Sequence, residues 1–384
     1  MKRRPAFALA LLSICVAAVP VSVRTQGQAT VSGVSGAAPM AEQTFKNVQI
    51  LRGIPVDEFM DTMGMFSAAT GLNCAHCHAI DNGAGWEAYA TETPLKQTAR
   101  RMLRMMNAIN KDSFGGARVI TCNTCHHGDQ RPKPVPSLAI QYSAPTEDPN
   151  DVDAFPATGM PSPDSIFDKY FQAVGGRARV DSLKSIVAKG TYSGYDTEQA
   201  KVPVEIFSRA PASKATIVHT RLGDSVRVSD GVSAWISSAD RPLLLMPLTG
   251  DNLSGARVDA LLAFPASLRQ AFPRWRVALT SLADRDTYVV QGVPQGRQPP
   301  LNLYFDEETG LLMRALRFVD TAVGRVPTQI DFGDYRDVAG VKVPFTITET
   351  WTDGQSTVEL ADVRVNETIA DARFRRPAPA TAFK

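Results

Sequence analysis

Cys74-Ala-His-Cys77-His78 and Cys122-Asn-Thr-Cys125-His126 share one pattern, C-x-x-C-H. Two thiols three positions apart lie on one turn of helix and reach neighbouring points on a single flat ligand. An imidazole directly after the second thiol is then carried beneath the centre of that ligand. This is the attachment pattern of a c-type haem, with two thioether bonds to the porphyrin and a proximal histidine on the iron. The chain has five Cys, and four of them fall in these two runs. A four-thiolate zinc site seldom carries His after both pairs. A thioredoxin-like dithiol needs a single pair in a βαβ setting. Disulfides within each pair would be strained and have no use for the histidines. The expectation is two covalently attached haem c groups, held by Cys74, Cys77, Cys122 and Cys125, with His78 and His126 as proximal iron ligands.

Each motif has a helix upstream. Pro55-Val-Asp-Glu opens the first, because proline suits a first turn and acids suit the positive end of the helix dipole. Phe59, Met60, Met63 and Phe66 recur at helical spacing, and Gly71 ends the run just before Cys74. Thr93-Pro94 caps and opens the second, with Leu95, Met102, Met105, Met106 and Ile109 on one side and Lys96, Arg100, Arg101 and Arg104 on the other. Gly115-Gly116 breaks it before Cys122. The arginines suit haem propionates, an acidic redox partner or simply a solvated face.

A closed iron needs a sixth ligand, and a methionine thioether gives a raised potential suited to electron transfer. Methionine is more often a core filler. Here free histidine is scarce: His76 lies between two attachment thiols, His127 follows a proximal His too closely, and His219 stands alone far downstream. Met63 and Met102 are therefore the candidate distal ligands, with Met65, Met105 and Met106 in reserve.

The strings Asn47-Val-Gln-Ile-Leu, Glu58-Phe-Met-Asp-Thr-Met63, Ala99-Arg-Arg-Met102-Leu, Ala108-Ile-Asn110 and both C-x-x-C-H runs resemble the cytochrome c subunit of bacterial photosynthetic reaction centres over residues 43–140. The resemblance implies an axial Met on the helix before each motif, hence Met63 and Met102, and an electron-transfer role. A typical member holds four haems, whereas this sequence has motifs for two. The interval from Asn110 to Thr121 also lacks the His that ligates another haem in that family. Docking on a photosynthetic reaction centre does not carry over.

At 384 residues, with 44% apolar and 21% charged residues, the composition is that of a soluble globular protein of about two domains. A net charge of +2 gives no reason to expect nucleic acid. Met1-Lys-Arg-Arg followed by an apolar run to Val23 reads as an export signal over 1–29, with a retained single anchor as the alternative. Residues 30–42 read as a flexible linker. Export fits haem c and predicts a periplasmic location, or the outer face of the inner membrane.

Prolines recur from Pro132 to Pro161, and residues 141–162 read as a Pro-rich linker. Pro163-Asp-Ser-Ile-Phe begins a helix that Gly175-Gly176 stops. The period then changes to two. Segments near 183–193, 202–210, 214–220, 224–228, 232–237, 242–246, 274–281, 286–293, 299–306, 310–319, 325–335, 341–351 and 356–365 read as strands, with a helical patch over 252–271. The fold class expected is multi-domain: a small, mainly α dihaem cytochrome c domain (43–140) followed by an α+β antiparallel half-barrel (163–380). Gly175-Gly176, Tyr304-Phe-Asp-Glu-Glu-Thr-Gly310, Gln329-Ile-Asp-Phe-Gly-Asp-Tyr335, Gly340-Val-Lys-Val-Pro-Phe345 and Asp371-Ala-Arg-Phe374 resemble the lipoprotein-carrier (LolA/LolB-like) fold. That resemblance implies an apolar groove and a possible lipid or other apolar ligand. No catalytic constellation stands out. Asp331, Asp334 and Asp337 lack the Gly-bearing loop of a calcium hand and read as an exposed strand face.

The function expected is an exported electron carrier, not an enzyme, that moves single electrons between periplasmic redox proteins or to a membrane electron-transfer complex. Three alternatives stand: a peroxidase-like enzyme with one open iron, an apolar-ligand-binding protein whose haems sense redox state, and membership in a photosynthetic complex.

Overall fold

Residues 38–376 are described by a computed structural model, apart from 81–84, 144–147, 153–154, 156–158, 239–240, 242, 294–295 and 297. The export signal and most of the first linker lie outside the described residues. Among these residues no helix is long and apolar enough to cross a membrane.

The first part is helical: α1 (Ala41–Thr44), α2 (Val56–Thr70), α3 (Cys74–Cys77), α4 (Pro94–Phe114), α5 (Cys122–His126) and α6 (Leu138–Gln141). The expected stop and start signals act where they were read. Gly71 takes the left-handed conformation at the end of α2. Thr93 accepts from the Lys96 N–H to cap α4, and Gly115 closes it with φ 61. Then α7 (Pro163–Ala173) and α8 (Arg177–Ser182) lead into the sheet.

The strands are β1 (Ser185–Gly194), β2 (Val202–Arg209), β3 (Ser213–Thr220), β4 (Gly223–Ser229), β5 (Ala234–Ser237) and β6 (Leu245–Pro247). After α9 (Gly250–Leu261) and α10 (Pro265–Arg269) come β7 (Arg274–Leu282), β8 (Arg285–Val293), β9 (Leu301–Asp306), β10 (Leu312–Thr321), β11 (Gly324–Val338), β12 (Val341–Trp351) and β13 (Gly354–Val365). They form one 13-stranded sheet in the order β6-β5-β4-β3-β2-β1-β13-β12-β11-β10-β9-β8-β7. Every pairing is antiparallel, and β6 and β7 are free edges, so the sheet is open rather than a closed barrel.

Its curl follows from one residue of α9. Asp259 receives Arg317 Nε of β10 on its carboxylate at 2.8 Å, and Lys214 of β3 on its carbonyl at 3.5 Å. Six strand intervals separate β3 from β10, which would put them roughly 29 Å apart in a flat sheet. One side chain and its backbone reach both because the sheet wraps around the helix.

The interior of the curl is filled. Ile166, Phe167, Tyr170 and Phe171 of α7 pack with Leu268, Leu303, Phe305 and Ala315, while Phe264 packs with Val204, Ile206 and Val343. Residue parity then sends Tyr304 and Leu316 to the outer face, where Val152 and Phe155 of the Pro-rich segment cover them. Arg276 lies 4.3 Å from the Phe155 ring, and Arg314 reaches Asn150 at 3.1 Å. The connector therefore runs across the sheet.

The helical part and the sheet share a core. Val323, at the tip of the β10–β11 turn, is 1% exposed and packs with Val326, Met65 of α2 and Leu103 and Met106 of α4. A hairpin tip ordinarily faces solvent. Here it is a plug between two helices.

Candidate functional site

The two attachment helices are each a single turn. In α3 and α5 the paired cysteines are free thiols, half-buried at Cys77 and Cys122 and exposed at Cys74 and Cys125. Burial raises the thiols of Cys74 and Cys77 and pushes Cys122 up to about 11, so all three are neutral in the unmodified chain.

Both motif histidines are held the same way. His78 Nδ1 lies 2.9 Å from the Tyr89 carbonyl, and His126 Nδ1 lies 3.0 Å from the Asp129 carbonyl. A carbonyl only accepts, so each Nδ1 carries a proton and Nε2 is the ring nitrogen left for a metal. Burial foremost lowers the pKa of His78, which keeps the ring neutral. Neutral imidazole with Nδ1–H anchored to a carbonyl is the usual state of a metal-bound histidine. The other histidines differ. His76 Nδ1 is 2.6 Å from Asn73 Oδ1, and His127 is exposed at φ 49. His219 pairs with Asp224 at 2.8 Å on neighbouring strands.

Side chains from α4 brace both motifs. Thr93 Oγ1 donates to Cys77 O at 2.8 Å. Asn110, 4% exposed, accepts from Val119 and Ile120 N–H at 3.1 and 2.9 Å and donates to Ile120 O at 2.7 Å, which fixes the approach to Cys122. Thr121 and Thr124 exchange backbone-to-hydroxyl bonds around the start of α5. The end of α2 meets the residues after the second motif: Gly128 N–H donates to Ala69 O at 2.9 Å. At Gly71, φ 68 and the nearby Gly128 carbonyl leave no room for a Cβ.

The five candidate methionines divide by burial. Met65 and Met106 are 6% and 5% exposed and belong to the core around Val323. Met63 is half-buried, while Met102 and Met105 are 38% and 47% exposed. Met102, Met105 and Ile109 form an apolar stripe on the solvent side of α4. Met63, Met102 and Met105 thus remain outside the apolar core that takes up Met65 and Met106.

Of the arginines, Arg100 bonds Glu92 at 2.6 Å and the Asn47 carbonyl at 3.4 Å, which ties α4 to the preceding loop. Arg101 and Arg104 are exposed. The strand aspartates have separate partners: Asp331 with Arg314 at 2.6 Å, Asp334 with Arg336, and Asp337 with Gly340 N–H at 2.9 Å.

The donor set fits haem c: two thiol pairs on single turns, two imidazoles with Nε2 left over, and the thioethers of Met63, Met102 and Met105 outside the core. The sequence missed the backbone partners that position it, namely the Tyr89 and Asp129 carbonyls and the Cys77 carbonyl that Thr93 reaches. Backbone acceptors leave no signature in residue identity.

Residues 19–186 match the family model described as photosynthetic reaction centre cytochrome C subunit. The photosynthetic reaction center cytochrome c subunit of Thermochromatium tepidum is 32% identical over 99 residues, 25% of this chain and 23% of that protein. That of Rubrivivax gelatinosus is 33% identical over 106 residues, 27% of each chain. Cytochrome c-554 of Chloroflexus aurantiacus is 32% identical over 87 residues, 21% of this chain and 20% of that one. The chain spans about a quarter of the length of these curated relatives. Among solved structures, a LolA superfamily protein from Nitrosomonas europaea aligns over 56% of this chain and 99% of its own, at 13% identity and TM-score 0.38. A putative outer membrane lipoprotein-sorting protein domain from Vibrio parahaemolyticus aligns over 55% and 94%, at 10% identity and TM-score 0.36.

Proposed function

We propose that this chain, whose motif-bearing part matches the reaction-centre cytochrome family, is an exported two-haem c-type cytochrome that carries single electrons. The observation that carries the reading is the paired histidine geometry, in which each Nδ1–H is spent on a carbonyl and each Nε2 is left to face an iron. The bound haems supply the one-electron couple. The chain's own residues do the rest. Cys74, Cys77, Cys122 and Cys125 fix the two rings. His78, His126, Met63 and Met102 would supply the ligands to the two irons. A closed iron exchanges electrons without binding small molecules, which separates a carrier from a peroxidase-like enzyme.

The partners proposed are redox proteins outside the cytoplasm or a membrane electron-transfer complex. An apolar ligand in the half-barrel would have to displace α7, α9 and α10, whose side chains fill the curl. The recess of about 630 Å³ on the sheet is edged by Lys189, Asp334, Arg336 and Glu359, a charged rim unsuited to an acyl chain.

Mass spectrometry of the matured protein tests the reading. The expected mass includes two macrocycles, and the ferric spectrum carries the charge-transfer band of methionine sulfur on iron. A colourless protein with no added mass overturns the proposal, and a high-spin ferric spectrum overturns the carrier in favour of the enzyme.

A further inference from the structure

The carbonyl that anchors His78 has a second donor. Lys96 Nζ hydrogen-bonds the same Tyr89 oxygen, and also the Thr91 oxygen at 2.7 Å. We propose that Lys96 is a positioning residue that raises the reduction potential of the first haem by drawing on the Tyr89 carbonyl that His78 uses. The inference rests on the two-haem reading above.

Lys96 sits in the first turn of α4, where a cation meets the positive end of the helix dipole and is disfavoured. The helix dipole does not explain its placement. The geometry does: its side chain turns away from its own helix to the carboxyl end of the 3-10 turn Trp86–Ala90, where carbonyls are free and partially negative. The ammonium is half-buried there, so its charge is screened less than that of a surface lysine.

The electronic consequence has one sign. A strong acceptor on Nδ1–H gives the imidazole anionic character, makes Nε2 a better donor and favours ferric iron. A carbonyl that also accepts from an ammonium is a weaker acceptor for the imidazole. His78 then donates less to iron. The added positive charge beside the ring also favours the ferrous state, since reduction removes one unit of positive charge. Both effects raise the potential.

The second site lacks this device. His126 donates to the Asp129 carbonyl at 3.0 Å, and among the described residues no lysine or arginine bonds that oxygen. Lys133 approaches only the Asp129 carboxylate, at 3.4 Å on the surface. Two motifs alike in sequence are therefore unequal at the carbonyl that anchors the proximal histidine.

The test is a spectroelectrochemical titration of the full, matured protein and its Lys96→Met and Lys96→Arg variants. In Lys96→Met, one haem becomes about tenfold harder to reduce at a fixed poise, equivalent to about 59 mV for one electron, while the other wave stays in place. Lys96→Arg restores most of the shift because it keeps the charge. Equal displacement of both waves marks general loosening and overturns the inference, as do two unmoved waves with both haems attached. Absence of haem from the wild-type protein defeats the two-haem reading itself, and the inference with it. The two failures are told apart by haem content.

Discussion

The Asp57 carboxylate accepts both the backbone N–H and the hydroxyl of Thr249, at 2.6 and 2.9 Å, across 192 positions of sequence. Asp57 stands in the first turn of α2, and Thr249 is the residue before α9. One carboxylate thus faces the positive ends of two helices, one from the haem-binding part and one from inside the curled sheet. Asn252 of α9 adds a bond to Asp61 of α2 at 2.6 Å.

Replacing Asp57 therefore loosens the joint between the two parts. Asp57 is 3% exposed and Thr249 half-buried, so Asp57→Ala leaves the Thr249 N–H and hydroxyl without their acceptor at a site only partly open to water. The expected cost is about 2–3 kcal/mol. Wild-type unfolding followed by haem absorbance and by far-ultraviolet circular dichroism gives coincident transitions. In the variant the haem transition moves to lower denaturant and separates from that of the sheet. Coincident, unshifted curves in Asp57→Ala would remove the joint from the account.

Paired methionine variants separate ligation from packing. Met63→Ala and Met102→Ala each remove a thioether from outside the core, so each converts one haem to an open, high-spin ferric form and changes stability little. Met65→Ala and Met106→Ala leave the spectrum intact and destabilise by about 2–4 kcal/mol, because both side chains are almost fully enclosed. An unchanged spectrum in Met102→Ala with a changed one in Met105→Ala would move the ligand one turn along α4.

Much of this fold was legible in the sequence, and the reason is local. Strands that bury one face alternate, so thirteen period-two segments announced a 13-stranded sheet. Helix ends are set by residues within a turn, so Pro55, Gly71, Thr93 and Gly115 marked α2 and α4 closely. The C-x-x-C-H runs carry their chemistry within five residues. What stayed hidden depends on distant chain. Met63 and Met65 lie on opposite sides of α2, and the helix alone does not say which side is covered. Val323, far downstream, packs against Met65 and settles it. The 252–271 patch read as helix but could not declare that Asp259 would bridge β3 and β10. The Pro-rich segment read as a spacer, yet its Val152 and Phe155 cover apolar side chains on the sheet.

Truncating the hairpin plug tests how far the sheet supports the haem-binding helices. Val323→Ala removes two methyl groups from an enclosed site, at a cost of about 1–2.5 kcal/mol. The loss appears first as faster haem-edge exchange with added cyanide or imidazole, since α2 and α4 carry the methionines proposed as distal ligands. A variant with wild-type unfolding and wild-type ligand exchange would show that the plug is incidental.

The ion network inside the curl predicts a pH dependence of known sign. Glu349 receives Arg227 at 3.3 Å and Arg317 at 3.4 Å, and Arg317 forms a two-pronged pair with Asp259 at 2.8 and 3.0 Å. Burial opposes the charge of Glu349. The guanidiniums of Arg227 and Arg317, with the Lys214 ammonium, outweigh it and hold the carboxyl below its ordinary range. A carboxyl depressed on folding binds fewer protons in the folded state. Its stabilisation is therefore full above the unfolded value of 4.5 and is lost as pH falls through the lower folded value. Glu349→Gln removes the carboxylate that Arg227 and Arg317 share and leaves Asp259 as the partner of Arg317. Arg227 is 46% exposed, which softens the penalty to about 2 kcal/mol at neutral pH. Thermal unfolding of wild type and Glu349→Gln from pH 7 to pH 3 should show a gap in Tm that narrows on acidification and closes at the acid end. A gap that stays constant across that range would mean the side chain acts through shape and not through charge.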